Sequence, residues 1–449
     1  MNAALVRWRA RRIVVALFGL ALALALAAAP ALAQLRGHGG PVRALAVAPD
    51  GNAAISGSFD SSVIRWSLKG GSADQVLRFH DGAVNAVAIL PDGRVASAGE
   101  DGRIALWREG QAEPASVLEG HTAPIVALAV SPDGGWLASA SWDGTARLWP
   151  LAGGVPRVLE GHRQNVNGVA FTPDGRGIVT AGYDETLRIW PLSGSPGEVG
   201  RAPSIGTPAV VTMPAPLNGV AVARDGEIVA AGADGHVYFV RGDGAIAGAV
   251  EAQPSPIIAV AVSPDGVMVA AAGIRGSVAI IARVTRTVLR TLVGPGLPVW
   301  SLAFMPDGRT LLTGGADRLI RRWDATSGEH VGAVAMGPAD PLAAYAGDRG
   351  VEVFRACVAC HTLTPDEGNR AGPTLARIFG RRIATLPGYR FSEALKKLDI
   401  VWTPETVSKL FEIGPAAYTP GTKMPEQRIG RAEDREALVR FLERATKQP

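Results

Sequence analysis

The sequence predicts an all-β domain of seven similar repeats followed by a small all-α domain. The first observation is a Pro-Asp-Gly tripeptide, or a close variant, that recurs seven times between Pro49 and Pro306, mostly 40–42 residues apart. Repeats of this length are typical of arrays in which each unit buries its core against its neighbours. The second is that short β-branched runs separate these turns, which favours strands. The third is that a helical pattern begins only at Ala346.

The strand patterns indicate how the repeats are arranged. The first run of each repeat is apolar on both faces, as in Val42–Val47 and Ile125–Val130. Strands covered on both faces suit blades that stack around a central axis. We therefore expect a seven-bladed β-propeller over residues 34–336.

Two segments do not follow the repeat pattern. Residues 193–209 are rich in Gly, Ser and Pro, lengthen one repeat, and are predicted to form an inserted loop. Glu329–Met336 is predicted to be the outer strand of blade seven, because Gln34–Arg36 is too short to supply that strand fully.

A polar signature recurs in the first four repeats. A His opens the unit, a Ser or Thr lies four residues before an Asp, and a Trp lies six residues after that Asp. The residues are His38, Ser56, Asp60 and Trp66; His80, Ser97, Asp101 and Trp107; His121, Ser139, Asp143 and Trp149; His162, Thr180, Asp184 and Trp190. This pattern resembles the WD-repeat propellers, and Trp323-Asp324 carries the dipeptide itself. The resemblance implies that each set forms a hydrogen-bonded chain inside its blade, so these His and Asp residues are structural and not an acid–base site. Repeat five has Val240 at the Trp position, and repeat six has Arg275 and Ile281 at the Asp and Trp positions.

The first 33 residues have the layout of a secretory signal. Basic residues at Arg7–Arg12 precede an apolar run, Ile13–Ala29, and Ala31-Leu32-Ala33 supplies small residues before a cut expected at Gln34. Cleavage would place the protein in the periplasm, with no membrane span left. The alternative is an uncleaved anchor, since the run is just long enough to span a bilayer.

The net charge of +4 lies in this same segment. It contains four Arg and no acidic residue, so the remaining chain has 41 basic and 41 acidic residues. A formally neutral chain lacks the basic footprint of nucleic-acid binding, and no nucleic-acid partner is expected.

The cysteines indicate the chemistry of the C-terminal domain, predicted at 346–449 after a linker at 337–345. The only two, Cys357 and Cys360, are followed by His361, in the C-x-x-C-H attachment signal of c-type haem. On one helical turn these residues face the same side. The thiols can then add to the two vinyl groups while the imidazole reaches iron. A thioredoxin-like pair lacks a preceding βαβ pattern, and a zinc site would need more Cys or His nearby.

The segment from 346 to 446 resembles the class I cytochromes c. The resemblance implies a carbonyl of Pro373 that accepts the Nδ1 proton of the axial His, which orients the ring. It implies haem-propionate contacts from Arg381 and Trp402, and a loop that supplies Met424 as the sixth ligand. We therefore expect one covalent haem c ligated by His361 and Met424. Its other contacts are expected to come from Cys357, Cys360, Pro373, Arg381, Trp402 and Thr422. Gly350 and Phe354 fit the first helix of this family, where it meets the last helix at Leu438–Leu442.

With both axial positions filled, iron has no open position for a substrate, which favours electron transfer over small-molecule chemistry. We expect an electron carrier, not an enzyme, whose propeller docks a redox partner protein or its own cytochrome domain. One alternative is a propeller-based oxidoreductase in which the cytochrome drains electrons from a second active site. Outside the signature the propeller offers only His236 and His330, which read as surface or packing residues. A redox- or haem-based sensor is the other alternative.

Overall fold

The computed structural model describes residues 34–193, 204–293, 296–332 and most of 342–447. Within this last stretch, residues 343, 344, 346, 355, 356, 358–360, 365–371, 388, 390, 421, 423 and 425–427 are not described. The predicted signal segment, most of the predicted linker, and Cys360 therefore lie outside the described residues.

Seven antiparallel sheets form the blades of a propeller. The chain begins with β1 (Gln34–Arg36) and continues into blade one. Blade one contains β2 (Val42–Val47), β3 (Ala53–Ser58), β4 (Ser62–Ser67) and β5 (Ser72–Arg78). Blade two contains β6 (Val84–Ile89), β7 (Val95–Gly99), β8 (Ile104–Trp107) and β9 (Ser116–Leu118). Blade three contains β10 (Ile125–Val130), β11 (Trp136–Ser141), β12 (Ala146–Pro150) and β13 (Arg157–Leu159).

Blade four has five strands and the others have four. Blade four contains β14 (Val166–Phe171), β15 (Gly177–Gly182), β16 (Thr186–Ser193), β17 (Ser204–Ile205) and β18 (Ala209–Thr212). Blade five contains β19 (Leu217–Val222), β20 (Ile228–Gly232), β21 (His236–Val240) and β22 (Ile246–Glu251). Blade six contains β23 (Ile257–Val262), β24 (Met268–Gly273), β25 (Ser277–Ala282) and β26 (Thr287–Val293). Blade seven contains β27 (Val299–Phe304), β28 (Thr310–Gly315), β29 (Leu319–Asp324) and β1.

The recurrent Pro-Asp-Gly tripeptide forms the turn between the first and second strands of a blade. In blade one, Asp50 Oδ1 accepts a hydrogen bond from the backbone N–H of Asn52 at 2.9 Å, and Gly51 has a φ of 72°. A short polar side chain followed by a residue free of Cβ crowding stabilises such a tight turn.

The ring closes differently from the prediction. The outer strand of blade seven is β1, whose Leu35 pairs with Ile320 of β29, and not the segment Glu329–Met336. The described part of that segment forms a single bridge from His330 to Trp323. Three residues suffice because Leu35 is fully buried in the cluster between blades seven and one, so apolar burial adds to the three backbone pairs.

Seven hydrophobic clusters fill the spaces between successive blades, including the space between blades seven and one. Each cluster takes residues from the two blades that face it. This is why the inner strands are apolar on both faces, as the sequence indicated.

The predicted loop at 193–209 is partly strand. Ser193 ends β16, and Ser204-Ile205 pairs back onto it as β17. Ala209–Thr212 then forms the outer strand of blade four. Residues 194–203 lie outside the described part.

The C-terminal segment is helical. It contains α1 (Arg349–Phe354), α2 (Glu393–Lys396), α3 (Pro404–Ile413), α4 (Pro415–Tyr418) and α5 (Ala432–Ala445). α3 begins at a capping box in which Thr403 and Thr406 bond reciprocally. α1, α3 and α5 contribute to one hydrophobic cluster, which includes Val351, Phe354, Leu410 and Phe441.

Candidate functional site

The side chain of His361 is oriented by a backbone carbonyl. Its Nδ1 lies 2.8 Å from the carbonyl oxygen of Pro373, which can only accept a hydrogen bond, so Nδ1–H is the donor. This leaves Nε2 as the ring nitrogen with a lone pair. An imidazole held in this way is oriented and made more basic at its other nitrogen, as metal-ligating His residues commonly are.

Cys357 lies one helical turn before His361. The backbone N–H of His361 donates to the carbonyl of Cys357 at 2.9 Å, which is the i to i+4 bond of a helix. Cys357 is 9% exposed and belongs to the hydrophobic cluster of the helical segment. Cys360 lies outside the described residues, so the second predicted attachment residue stays a prediction.

Gly372 makes room for the His361 ring. A Cβ atom on this glycine would lie 2.3 Å from Cε1 and 2.6 Å from Nδ1 of His361, closer than real Cβ atoms come to any neighbour. The Gly-Pro pair thus has two separate roles. Gly372 lets the backbone approach the ring, and Pro373 supplies the hydrogen-bond acceptor.

A backbone hydrogen bond holds Arg381 and Trp402 next to each other. The N–H of Trp402 donates to the carbonyl of Arg381 at 3.0 Å, and the N–H of Gly380 donates to the carbonyl of Trp402 at 2.8 Å. The Arg381 guanidinium donates to the carbonyls of Thr374 and Ala376 at 2.9 and 3.1 Å. Burial lowers the pKa of Arg381 from its usual value. Arg381 is thus tied to the residue that follows Pro373.

Met424 packs partly buried against the hydrophobic cluster that includes Cys357, and Trp402 packs against the same cluster. The backbone N–H of Met424 donates to Thr422 Oγ1 at 3.1 Å. Thr422, a predicted haem contact, therefore helps to position the backbone of Met424, the predicted ligand. The structure therefore brings Cys357, Trp402 and Met424 to one core.

Close helix packing supports this core. A Cβ on Gly350 of α1 would lie 2.2 Å from the carbonyl oxygen of Ala437 in α5, so only glycine permits the observed approach. The rings of Phe354 and Phe441 lie 5.2 Å apart between their centroids. The predicted meeting of the first and last helices is confirmed.

The polar signature of the first four blades forms the hydrogen-bonded chain that the WD resemblance implied. In blade one, Trp66 Nε1 donates to Ser56 Oγ at 2.7 Å, His38 Nε2 lies 2.6 Å from the same oxygen, and His38 Nδ1 lies 3.1 Å from Asp60 Oδ2. The corresponding contacts recur in blades two to four. The chain satisfies buried polar atoms and does not assemble a reactive site.

The Asp carboxylates of this hydrogen-bonded chain have lowered pKa values and are therefore ionised at neutral pH. Burial alone would raise the pKa of Asp101, but hydrogen bonds and charge from His80 outweigh it and lower that pKa to about 2. The same balance, with His38, Ser62 and Gly39 as partners, lowers the pKa of Asp60. Burial lowers the pKa of His121 from its usual value.

Blades five and six replace the signature with other pairs, whereas blade seven keeps part of it, since Trp323 Nε1 donates to Thr313 Oγ1 at 3.0 Å. Asp234 in blade five accepts a hydrogen bond from Tyr238 Oη at 2.5 Å, and Ser277 Oγ in blade six donates to Gln253 Oε1 at 2.5 Å. In blade seven Asp317 pairs with Arg321. The sequence reasoning missed Tyr238 and Gln253. Their places in the repeat alignment could have revealed them.

His236 and His330 have structural contacts. His236 Nδ1 lies 3.1 Å from Asp234 Oδ2, and both side chains are partly exposed. The centroids of the His330 and Trp323 rings lie 3.9 Å apart. Among the residues that the structure describes, no group of three or more His, Cys, Asp or Glu is placed to hold a metal ion.

Comparison with known proteins finds matches for both parts of the chain. A model of the WD domain, G-beta repeat, matches residues 30–67, 71–108, 112–150, 153–191 and 286–324. A cytochrome c from Cochliobolus lunatus is 39% identical over 100 residues, which are 22% of this chain and 92% of that protein. A cytochrome c from Arabidopsis thaliana is also 39% identical over 100 residues, covering 88% of that protein. A cytochrome c2 from Blastochloris viridis is 39% identical over 84 residues, covering 65% of its length.

The chain belongs to the cytochrome c family. The match is carried by its C-terminal cytochrome c domain, and the rest of the described chain is a propeller of WD repeats. Family membership indicates an electron-transfer haem protein.

The described residues of the cytochrome c domain fit a haem. His361 Nδ1 is bonded to the Pro373 carbonyl, Gly372 admits the ring where a Cβ would collide with it, and Cys357 and Met424 contact one apolar core. A bound haem would supply one-electron chemistry at iron. Cys357 would attach it, His361 and Met424 would ligate it, and the surrounding apolar side chains would exclude water. Among the described residues no helix is both long and apolar enough to cross a bilayer.

Proposed function

We propose that the protein is a periplasmic c-type cytochrome that transfers single electrons through one covalent haem c. Cys357 and Cys360 attach the haem, and His361 and Met424 ligate its iron. The observation that carries this proposal is the 2.8 Å contact from His361 Nδ1 to the Pro373 carbonyl in a member of the cytochrome c family. It prepares one nitrogen as a metal ligand.

Two axial ligands leave iron without a position for substrate, so the reaction is outer-sphere electron exchange. The protein is then a carrier and not an enzyme. The apolar cluster around Cys357 and Met424 supports this, because apolar side chains beside the iron would limit the access of water to it.

The propeller serves as a scaffold that docks a protein partner. Its partner is a redox protein or its own cytochrome c domain. Residues 345–449 have 17 Lys and Arg against 13 Asp and Glu, whereas residues 34–344 have 24 against 28. Opposite net charges favour encounters between the two parts, and a short tether raises their effective concentration. The periplasmic location rests on the signal layout of residues 1–33.

The test is haem attachment in the full chain expressed with its N-terminal segment. We expect one haem per chain that survives a denaturing gel, in a protein recovered from the periplasmic fraction. Cys357→Ser and Cys360→Ser should each abolish or strongly reduce the haem-stained band and leave the propeller folded.

As a matched control, Ser62→Ala changes a hydroxyl of the blade-one chain and should leave the haem band intact. A normal haem band in the Cys357/Cys360 double variant would contradict the proposed site. A second metal or chromophore in the purified protein would favour the alternative, a propeller-based oxidoreductase whose electrons the cytochrome c domain drains.

A further inference from the structure

Every blade of the propeller carries a β-bulge at the same place. The pairing of the innermost strand with the next one shifts by one residue near its start in all seven blades. In blade one, Val42 pairs with Ser58 and Ala44 with Gly57, so Arg43 is the extra residue. A bulge re-aims the side chain of its extra residue. The seven bulged residues all line one cavity.

This cavity is the central channel, with a volume of about 470 Å³. The bulged residues that line it are Arg43, Asn85, Val126, Asn167, Asn218, Ile258 and Trp300. Of the three bulged Asn side chains, two bond to the backbone of the next blade. Asn167 Nδ2 donates to Leu217 O at 2.9 Å, and Asn218 Nδ2 donates to Ile257 O at 2.8 Å. Both bonds join neighbouring blades.

Arg43 is the one residue among those lining the channel that carries a formal charge at neutral pH. Its guanidinium lies over the Trp300 ring, 4.7 Å from the centroid. Within the described part of the chain no carboxylate lies within ion-pair distance of it. Glu100 acts on it at longer range, and the Glu100 carboxylate accepts a bond from the Ala83 N–H. Burial lowers the pKa of Arg43 from its usual value. Arg43 is half-buried, and a partly desolvated guanidinium with no carboxylate beside it is suited to pair with an anion that enters the channel.

Part of the wall is suited to a carbon body, while asparagine and serine side chains line other parts of the channel. Leu45, Val126, Val260 and Ile258 present aliphatic groups to the channel, and Trp300 presents an aromatic ring. A single guanidinium balances one negative charge, whereas a phosphate dianion would need more. Its planar fork of donors matches the two oxygens of a carboxylate.

We propose that the central channel of the propeller binds a small organic monocarboxylate, whose carboxylate pairs with Arg43 and whose apolar body contacts Trp300 and the aliphatic wall. The site is independent of the haem and of the proposed electron transfer. It gives the propeller a ligand of its own beside any protein that it docks.

The test measures binding of benzoate and of benzamide to the full-length haem-loaded protein by isothermal titration calorimetry. The two probes have nearly the same shape and differ in charge. We expect saturable binding of benzoate with a Kd of about 1 mM or tighter, and binding of benzamide weaker by about tenfold or more. Equal affinities, or no saturable binding of benzoate in this range, would overturn the proposal without the need for any variant.

Two variants locate the site. Arg43→Gln should weaken benzoate binding by about tenfold and leave benzamide unchanged. Arg241→Gln makes the same chemical change at an exposed arginine paired with Asp243, outside the channel, and should leave both affinities unchanged. Benzoate binding that is equal in the Arg43→Gln variant and the unaltered protein would place the site elsewhere. Inorganic phosphate should not displace benzoate. If phosphate binds to the channel as tightly as benzoate does, the channel is a simple anion site and the proposal is contradicted.

Discussion

Gly372 packs so closely against the His361 ring that a Cβ atom added to it would lie 2.3 Å from Cε1. The same ring is held on its Nδ1 side by the carbonyl of Pro373. The imidazole therefore has one face fixed by contact and one nitrogen fixed by a hydrogen bond. Both contacts come from the protein chain itself.

Gly372→Ala should displace the His361 ring, because the three atoms nearest to the added Cβ all belong to that rigid imidazole. We expect less covalent haem and a changed visible spectrum in the haem that remains. Gly430→Ala is the matched control, since a Cβ there meets nothing within 4 Å. A Gly372→Ala protein with the haem content and spectrum of the control would show that the ring can move without consequence.

Gly350→Ala should destabilise the cytochrome c domain, because its Cβ would meet the Ala437 carbonyl at 2.2 Å and force α1 away from α5. Overpacking of this kind costs about 1–3 kcal/mol. Chemical denaturation followed through the haem absorption measures the loss. Gly430→Ala again provides the comparison, and equal midpoints for the two variants would contradict the close helix crossing.

Met424→Ala should open the sixth position of the iron and lower the reduction potential, because a Met ligand raises it. The weak thioether-to-ferric band should disappear, and cyanide should bind faster. Met305→Ala removes a methionine that packs against a propeller cluster, and it should leave potential and spectrum unchanged. If Met424→Ala also leaves them unchanged, another residue is the ligand, and Lys423 is the first to test.

The propeller should lose stability as the pH falls. The pKa of His121 is lowered by burial, so its stabilising contribution is complete above the usual value of about 6.5 and is lost as the pH falls below it. The pKa of Asp101, about 2, lies below its usual value, so its contribution is lost between about pH 4 and pH 2. Both effects have the same sign. Urea unfolding monitored by circular dichroism across this range measures the slope.

Asp101→Asn should flatten the acid part of that stability curve, since the amide does not titrate there. Asp243→Asn, at an exposed carboxylate, should change it little. A curve that keeps its full acid slope in Asp101→Asn would assign the slope to other groups.

If the two oppositely charged domains meet, their separation should depend on salt. The Debye length is about 30 Å at 0.01 M and about 3 Å at 1 M ionic strength, so attraction between them is strong only in the first case. We expect the radius of gyration from small-angle scattering to rise between these conditions. A constant radius would remove an electrostatic encounter from the proposal and leave an external redox partner.

Much of this architecture could be read from local sequence, because its signals repeat or are short-range. Seven Asp-Gly turns at a regular spacing indicate seven blades, and His, Ser, Asp and Trp at fixed offsets indicate the chain that joins His38 to Trp66. The C-x-x-C-H sequence and the glycine before Pro373 indicate the surroundings of His361. Each of these depends on residues a few positions apart or on a pattern present in many copies.

The tertiary structure alone decided the features that join distant parts of the chain. Leu35 closes the ring beside Ile320. Its burial in the cluster between the first and last blades stabilises a strand of three residues, which looks too short to form from the sequence alone. The channel around Arg43 exists because seven bulges, each unremarkable in its own repeat, turn one side chain toward a common axis. Burial and charge compensation are sums over neighbours far apart in sequence, and only the folded chain determines which neighbours those are.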